Sequence, residues 1–147
     1  MAEITRKEFM LAIAGAQRLR LAGFDLSGLD VSRFDLEGAN LRGANLRAVN
    51  MRETILRSAS LVGIAGVGGK FQFADMNLAS LIQADLTVAD LTGARLTGAN
   101  LQNVNLAGAN LRNAVMTGAN ITGLRFDAGT IWPDGRKGIG VNPADFI

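Results

Sequence analysis

A large apolar residue returns at every fifth position between Ala84 and Ala114, as Leu86, Leu91, Leu96, Leu101, Leu106 and Leu111. A small residue, usually Ala, stands two places before each of them, and Asp or Asn mostly stands one before. Gly or Asn usually follows two places after. On a helix, a step of five advances about 140°, so these leucines would spiral over every face. On a straight strand an odd step would flip each leucine to the opposite side. The spacing is satisfied by a chain that turns a corner in every quintet. The large residue, here called the centre, and the residue two before it then point inward along a short extended piece. The residue between them points out, and the two after the centre make the turn, where Gly takes a positive φ at low cost. Asp or Asn beside the centre suits such a turn, because its side chain bonds nearby backbone groups. Ala at the inner small position answers the crowding where several walls converge on one axis.

The same register runs from Leu21 to Phe126, through 22 centres that are apolar at every position except Gly66. A fixed short period of this kind describes a solenoid whose coils bury their insides against one another. The quintets Ala39-Asn40-Leu41-Arg42-Gly43, Ala44-Asn45-Leu46-Arg47-Ala48 and Ala99-Asn100-Leu101-Gln102-Asn103 resemble the A(D/N)LXX unit of pentapeptide-repeat proteins. The resemblance implies an all-β solenoid, a right-handed quadrilateral β-helix with four quintets in each coil. Five to six such coils, stacked at the spacing of parallel strands, make a rod of roughly 25 Å.

Composition narrows the chemistry. A chain of 147 residues is one domain, long enough to bury a continuous core. It has no Cys, His or Tyr, which removes thiols and the commonest acid–base and metal ligands. Its acids are scattered singly, so no nucleophile–base pair can be named, and neither catalysis nor a cofactor is expected. No apolar run reaches the length of a membrane span.

The single domain divides into a helical cap over about 4–18, β-helix coils over 19–131 and a tail over 132–147. In the cap, Thr5-Arg6-Lys7-Glu8 reads as a capping box, with Ile4 and Phe9 placed for a hydrophobic staple. A helix from about Arg6 to Arg18, with Phe9, Ile13 and Ala16 on one face, would cover the open edge of the first coil. The rival reading of residues 1–16 is a signal peptide cleaved after Ala14-Gly15-Ala16, so cytoplasmic residence is expected with export as the alternative. Within the coils, Gly66 at a centre and Lys70 at the Asx position mark an irregular segment near 62–73. There Gly66-Val67-Gly68-Gly69-Lys70 fails as a phosphate-binding loop, because Ile64 and Phe71 stand where Gly and Ser or Thr are needed. Phe71 is expected to fill the space Gly66 vacates. At the end the beat reaches Ile131, and Thr130-Ile131-Trp132-Pro133-Asp134-Gly135 resembles the TxWPxG tail of many cyanobacterial pentapeptide-repeat proteins. Trp132 is expected to cover the last coil, with Phe146 and Ile147 folding back onto it.

Two constellations face outward. Arg42, Arg47, Arg52 and Arg57 follow four successive centres, one on each wall of a four-sided coil, which makes a belt and disfavours nucleic acid as a partner. Asp25, Asp30, Asp35, Asp85 and Asp90 occupy the Asx position, where a structural role suffices. Val62, Val67, Phe73, Leu78, Ile82 and Val88 fall at outward positions around the middle coils, and contiguous exposed apolar surface marks an interface. The expected function is a non-catalytic interaction or scaffold module, contacting another protein or a second copy of itself. Some pentapeptide-repeat proteins mimic DNA and modulate type II topoisomerase. That alternative needs strongly acidic walls and is opposed by a net charge of +2.

Overall fold

The computed structural model describes residues 5–14 and 19–147. Each quintet contributes one parallel β-bridge, from the residue before its centre to the residue one coil later: Arg20 to Asn40, Asn40 to Ser60, Ser60 to Ser80, Ser80 to Asn100 and Asn100 to Asn120. Four such series make the four walls of a right-handed quadrilateral β-helix. Leu21, Leu41, Leu61, Leu81, Leu101 and Ile121 are the centres of the first wall. The second, third and fourth walls begin at Leu26, Val31 and Leu36.

Three main-chain bonds repeat along each wall. On the first, Leu21 N donates to Asn40 O at 2.7 Å, Gly23 N to Arg42 O at 2.8 Å, and Asn40 N back to Leu19 O at 2.8 Å. The centres from Leu21 to Met116 are buried and fill the interior. The corner residue, two after the centre, has positive φ all along the rod. Glycine occupies most corners, but ten hold other residues, among them Val88 at φ 51°, where a β-branched side chain is a true outlier.

The middle of the rod differs from expectation. The ladder passes through 62–73 without a loop or bulge, pairing Asn45 with Ala65 and Asn50 with Lys70, and those in turn with Asp85 and Asp90. Large and small residues compensate, once across neighbouring coils and once within a coil. A Cβ on Gly66 would come 2.9 Å from Leu86 Cδ2, and one on Gly69 would come 2.5 Å from the Phe71 ring. Leu86 therefore claims the volume at Gly66, and Phe71 lies over Gly69.

At the N-terminal end the inner small column changes character: Leu19, Phe24, Leu29 and Phe34 stand where later coils carry mostly Ala. Helix α1 spans Arg6–Ile13 and opens with the expected capping box, in which Thr5 Oγ1 accepts from Glu8 N at 3.2 Å and Glu8 Oε2 accepts from Thr5 N at 2.7 Å. Phe9 is fully buried and stacks on Phe34 at 5.6 Å. Arg6 lies over the same Phe34 ring and pairs with Asp30 at 3.1 Å. The helix ends at Ile13, short of Arg18. Ile4, Ala16 and the cleavage point lie outside the described residues.

At the other end the register slips by one residue. Ile131 pairs with Asn110, 21 positions earlier, so the next inward column position falls to Trp132 and not to Ile131. Asp127 makes the slip possible. Its carboxylate accepts from Gly108 N at 2.8 Å, the bond a main-chain carbonyl makes elsewhere, and also from Gly129 N at 2.9 Å. Thr130 becomes the inner small residue and donates to Leu106 O at 2.9 Å. Trp132 is fully buried, in the column position stacked on Leu111. It meets Phe126 edge-on at 4.9 Å, stacks on Phe146 at 5.9 Å and donates from Nε1 to Gly138 O at 3.0 Å. Of the two final apolar residues, Phe146 folds back and Ile147 stays exposed.

Candidate interaction surfaces

The six outward apolar residues form a band around the rod, not one patch. Val62 and Ile82 stack on the first wall as the 20-residue coil requires, with Gly63 N donating to Ile82 O at 2.9 Å, and both are half-buried. Val67 lies half-buried on the second wall. Phe73, Leu78 and Val88 occupy three corners of one turn, 55%, 67% and 58% exposed, at φ 58°, 59° and 51°. The register puts Phe73 at the corner of the third and fourth walls and Ile82 beside the corner of the first and second. These two lie diagonally across the rod, so one flat partner cannot touch both.

Each corner side chain instead lies along the rod over a glycine of the next coil. A Cβ on Gly93 would come 2.5 Å from Phe73, one on Gly98 2.7 Å from Leu78, and one on Gly108 2.9 Å from Val88. Reading the sequence quintet by quintet misses these pairings. They emerge when residues 20 apart are compared.

The same comparison separates the walls by charge. From Ser60 to Gly123 the outward positions of the first wall carry only Ser, Val, Gly, Ile, Gln, Asn and Thr. Over the same coils the second wall holds Asp85 and Arg125, the third holds Lys70, Asp90 and Arg112, and the fourth holds Asp75 and Arg95. Val62 and Ile82 thus sit within a neutral face built on rigid, hydrogen-bonded backbone.

The acidic side chains are largely engaged with their own scaffold. Asp25, Asp30, Asp35, Asp85 and Asp90 each accept from the backbone N–H two residues on, at 2.9–3.0 Å, which is the turn role expected of them. Hydrogen bonds from Ser32, with Arg6 nearby, hold the Asp30 carboxyl below its ordinary range. Of the arginine belt, Arg57 pairs with Glu37 at 2.9 Å and Asp75 at 3.8 Å. Arg33 grips both carboxylate oxygens of Glu53, at 3.1 and 3.2 Å. A surface hollow of about 240 Å³ lies between Ser32, Arg33, Asn50, Arg52 and Glu53. Both carboxylate oxygens of Glu53 that border the hollow are bonded to Arg33. Among the described residues no group of three metal-ligating side chains gathers, and no helix is long and apolar enough to cross a membrane.

Known proteins with this architecture agree with it. The family model described as "Pentapeptide repeats" matches in eight copies, over residues 20–63, 70–103 and 94–128. No curated protein matches the chain. Among solved structures, the pentapeptide repeat protein Rfr23 from the cyanobacterium Cyanothece 51142 superposes with a TM-score of 0.79 at 25% identity, covering 87% of this chain and 99% of Rfr23. QnrB1, a plasmid-mediated fluoroquinolone resistance protein, superposes with a TM-score of 0.58 at 20% identity, covering 77% of this chain and 64% of QnrB1, a likeness of fold alone. With the model matching over most of its coils, the chain belongs to the pentapeptide-repeat family.

Proposed function

We infer that the protein is a non-catalytic interaction module, a stiff rod that offers the neutral first wall to a protein partner. The observation that carries this reading is the contrast between walls: stacked Val62 and Ile82 on a face without charge from Ser60 to Gly123, against charged neighbours at the same height. A partner docking there would desolvate no ions, a cost that weakens association. The rigid ladder adds little ordering entropy on binding. The reading places the rod in the cytoplasm; a native mature protein beginning at Gln17 would mean export instead.

DNA mimicry gains nothing from this geometry. The acids are tied into turns, and arginines stand on every wall of the second coil.

A pair of charge insertions tests the reading. Ile82→Glu puts a carboxylate at the centre of the neutral face, and Thr92→Glu puts one at the same height on the third wall, facing the opposite way. A photo-crosslinking side chain at position 102 then reports the partner in the native cell. Ile82→Glu should abolish the crosslinked product while Thr92→Glu leaves it, with melting temperatures alike. Equal crosslinking in both variants would overturn the assignment of the first wall.

A further inference from the structure

The two rims of the rod are unlike. Within the rod every wall is sealed by the coil that follows, as where Leu101 N donates to Asn120 O, Asn103 N to Thr122 O, and Asn120 N to Ala99 O. On the third wall the tail continues this sealing, with Leu111 N donating to Ile131 O and Asn113 N to Pro133 O. On the first wall nothing follows. Asn120 pairs with Asn100 below it and, among the described residues, with nothing above. The N–H groups of Gly118, Ile121 and Gly123 have no acceptor among the described residues, and the Ala119 carbonyl has no donor. Gly118 and Gly123 are exposed and Ile121 is half-buried.

Soluble proteins blunt such edges with charge, proline or a covering element. The N-terminal rim is treated in this way: Arg20, Asp25, Asp30 and Asp35 stand at the bridge position of its four walls, and α1 packs on Phe34. The stretch Ala114 to Gly123 has neither a charge nor a proline.

We propose that this rim is a docking ledge for an extended, uncharged strand of another polypeptide, added as the next turn of the first wall. The register of the coils below gives the pairing. The incoming residue over Asn120 accepts from Ile121 N–H and donates to the Ala119 carbonyl. The residue two further on accepts from Gly123, and the residue three earlier accepts from Gly118 across the corner. Three donors face one acceptor, so the ledge is read by main-chain carbonyls, and the absence of charge favours small neutral side chains in the strand. A second copy is a poor occupant, because its own complementary rim is charged and carries α1. The ledge is separate from the Val62–Ile82 face and stands or falls independently of it.

The test uses the full chain labelled with nitrogen-15 and an acetylated, amidated peptide with the sequence of residues 99–108, an uncharged pair of quintets. Saturable shifts are expected at the amides of Gly118, Ile121 and Gly123, with hydrogen exchange there slowed about tenfold once roughly nine-tenths of the rods carry peptide. Gly23 and Gly28, at the other rim, should not move. The peptide N-methylated at the residues corresponding to Asn100 and Asn105 should lose the effect, because it cannot donate to Ala119. Absence of shifts up to the solubility limit, or equal shifts from the methylated peptide, would overturn the proposal. So would shifts centred on Val62 and Ile82, or protection that appears without peptide and grows with protein concentration, which would make a second copy the occupant.

Discussion

The Phe73 ring lies so close over the backbone of Gly93 that a Cβ there would sit 2.5 Å from it, although the two residues are 20 positions apart. Gly63, with the same positive φ, has nothing within 4 Å of its missing Cβ. Two effects that usually travel together are therefore separable here: the strain of a side chain at positive φ, and the clash with a neighbour.

Gly63→Ala is expected to cost about 1 kcal/mol, the backbone contribution alone. Gly93→Ala should cost about 1–3 kcal/mol more, because the Phe73 ring must be displaced. In a Phe73→Ala background the two alanine substitutions should cost the same. Chemical denaturation of the four variants measures this. A difference that persists without the ring would show that Phe73 is not what Gly93 accommodates.

The slipped register at the C-terminal end makes an opposite pair of predictions for neighbouring residues. Trp132→Ala should cost about 3–5 kcal/mol by emptying a buried column position. Ile131→Ser, on the outward side of the same wall, should cost well under half of that. Thermal melts decide the matter, and a larger loss from Ile131→Ser would restore the unslipped register.

Helix α1 contributes through its cap and through one buried ring. Thr5→Ala should cost about 1 kcal/mol by removing the bond to Glu8 N. Phe9→Ala should cost about 3–5 kcal/mol by opening a cavity against Phe34. If Phe9→Ala melts with the parent, the ring does not close the first coil.

Acid should weaken the rod through its turn carboxylates. Asp127 is held below its ordinary value by the N–H groups of Gly108 and Gly129, and Asp30 by bonds from Ser32. A depressed folded pKa contributes stability that is present above the unfolded value near 3.8 and is lost as pH falls through the folded value. The melting temperature should thus hold between neutrality and about pH 5 and decline below about pH 4. Asp127→Asn should melt lower than the parent at neutral pH and approach it in acid. A constant gap between the two at every pH would remove Asp127 from the acid response.

The repeating wall was legible in the sequence because it rests on a binary choice made at every fifth residue, from Leu21 to Phe126. Two features escaped that reading. The coil around Gly66 looked irregular because each quintet was judged alone, whereas Leu86 restores the volume at Gly66 from the next coil. The slip after Phe126 was hidden because Ile131 satisfies the beat by chemistry. The Asp127 side chain replaces a main-chain acceptor and lets one extra residue in. Of the outward apolar residues, the stacking of Val62 on Ile82 followed from counting by 20. The dispersal of Phe73, Leu78 and Val88 to separate corners follows only when each residue is assigned its place in the square.

Because one coil is four quintets, the length of this rod and the direction its ends face are a single variable. Duplicating one quintet anywhere between Leu41 and Leu111 would lengthen the rod by only about 1.2 Å, a quarter of the interstrand spacing. It would also turn everything beyond it by a quarter of a revolution. The tail would then swing to an adjacent compass point relative to α1, and a duplication placed after Ser60 would also cut and offset the neutral face. Only insertions of 20 residues keep the heading. A lineage of such rods can therefore change the angle between its two ends in steps of a right angle while hardly changing its size.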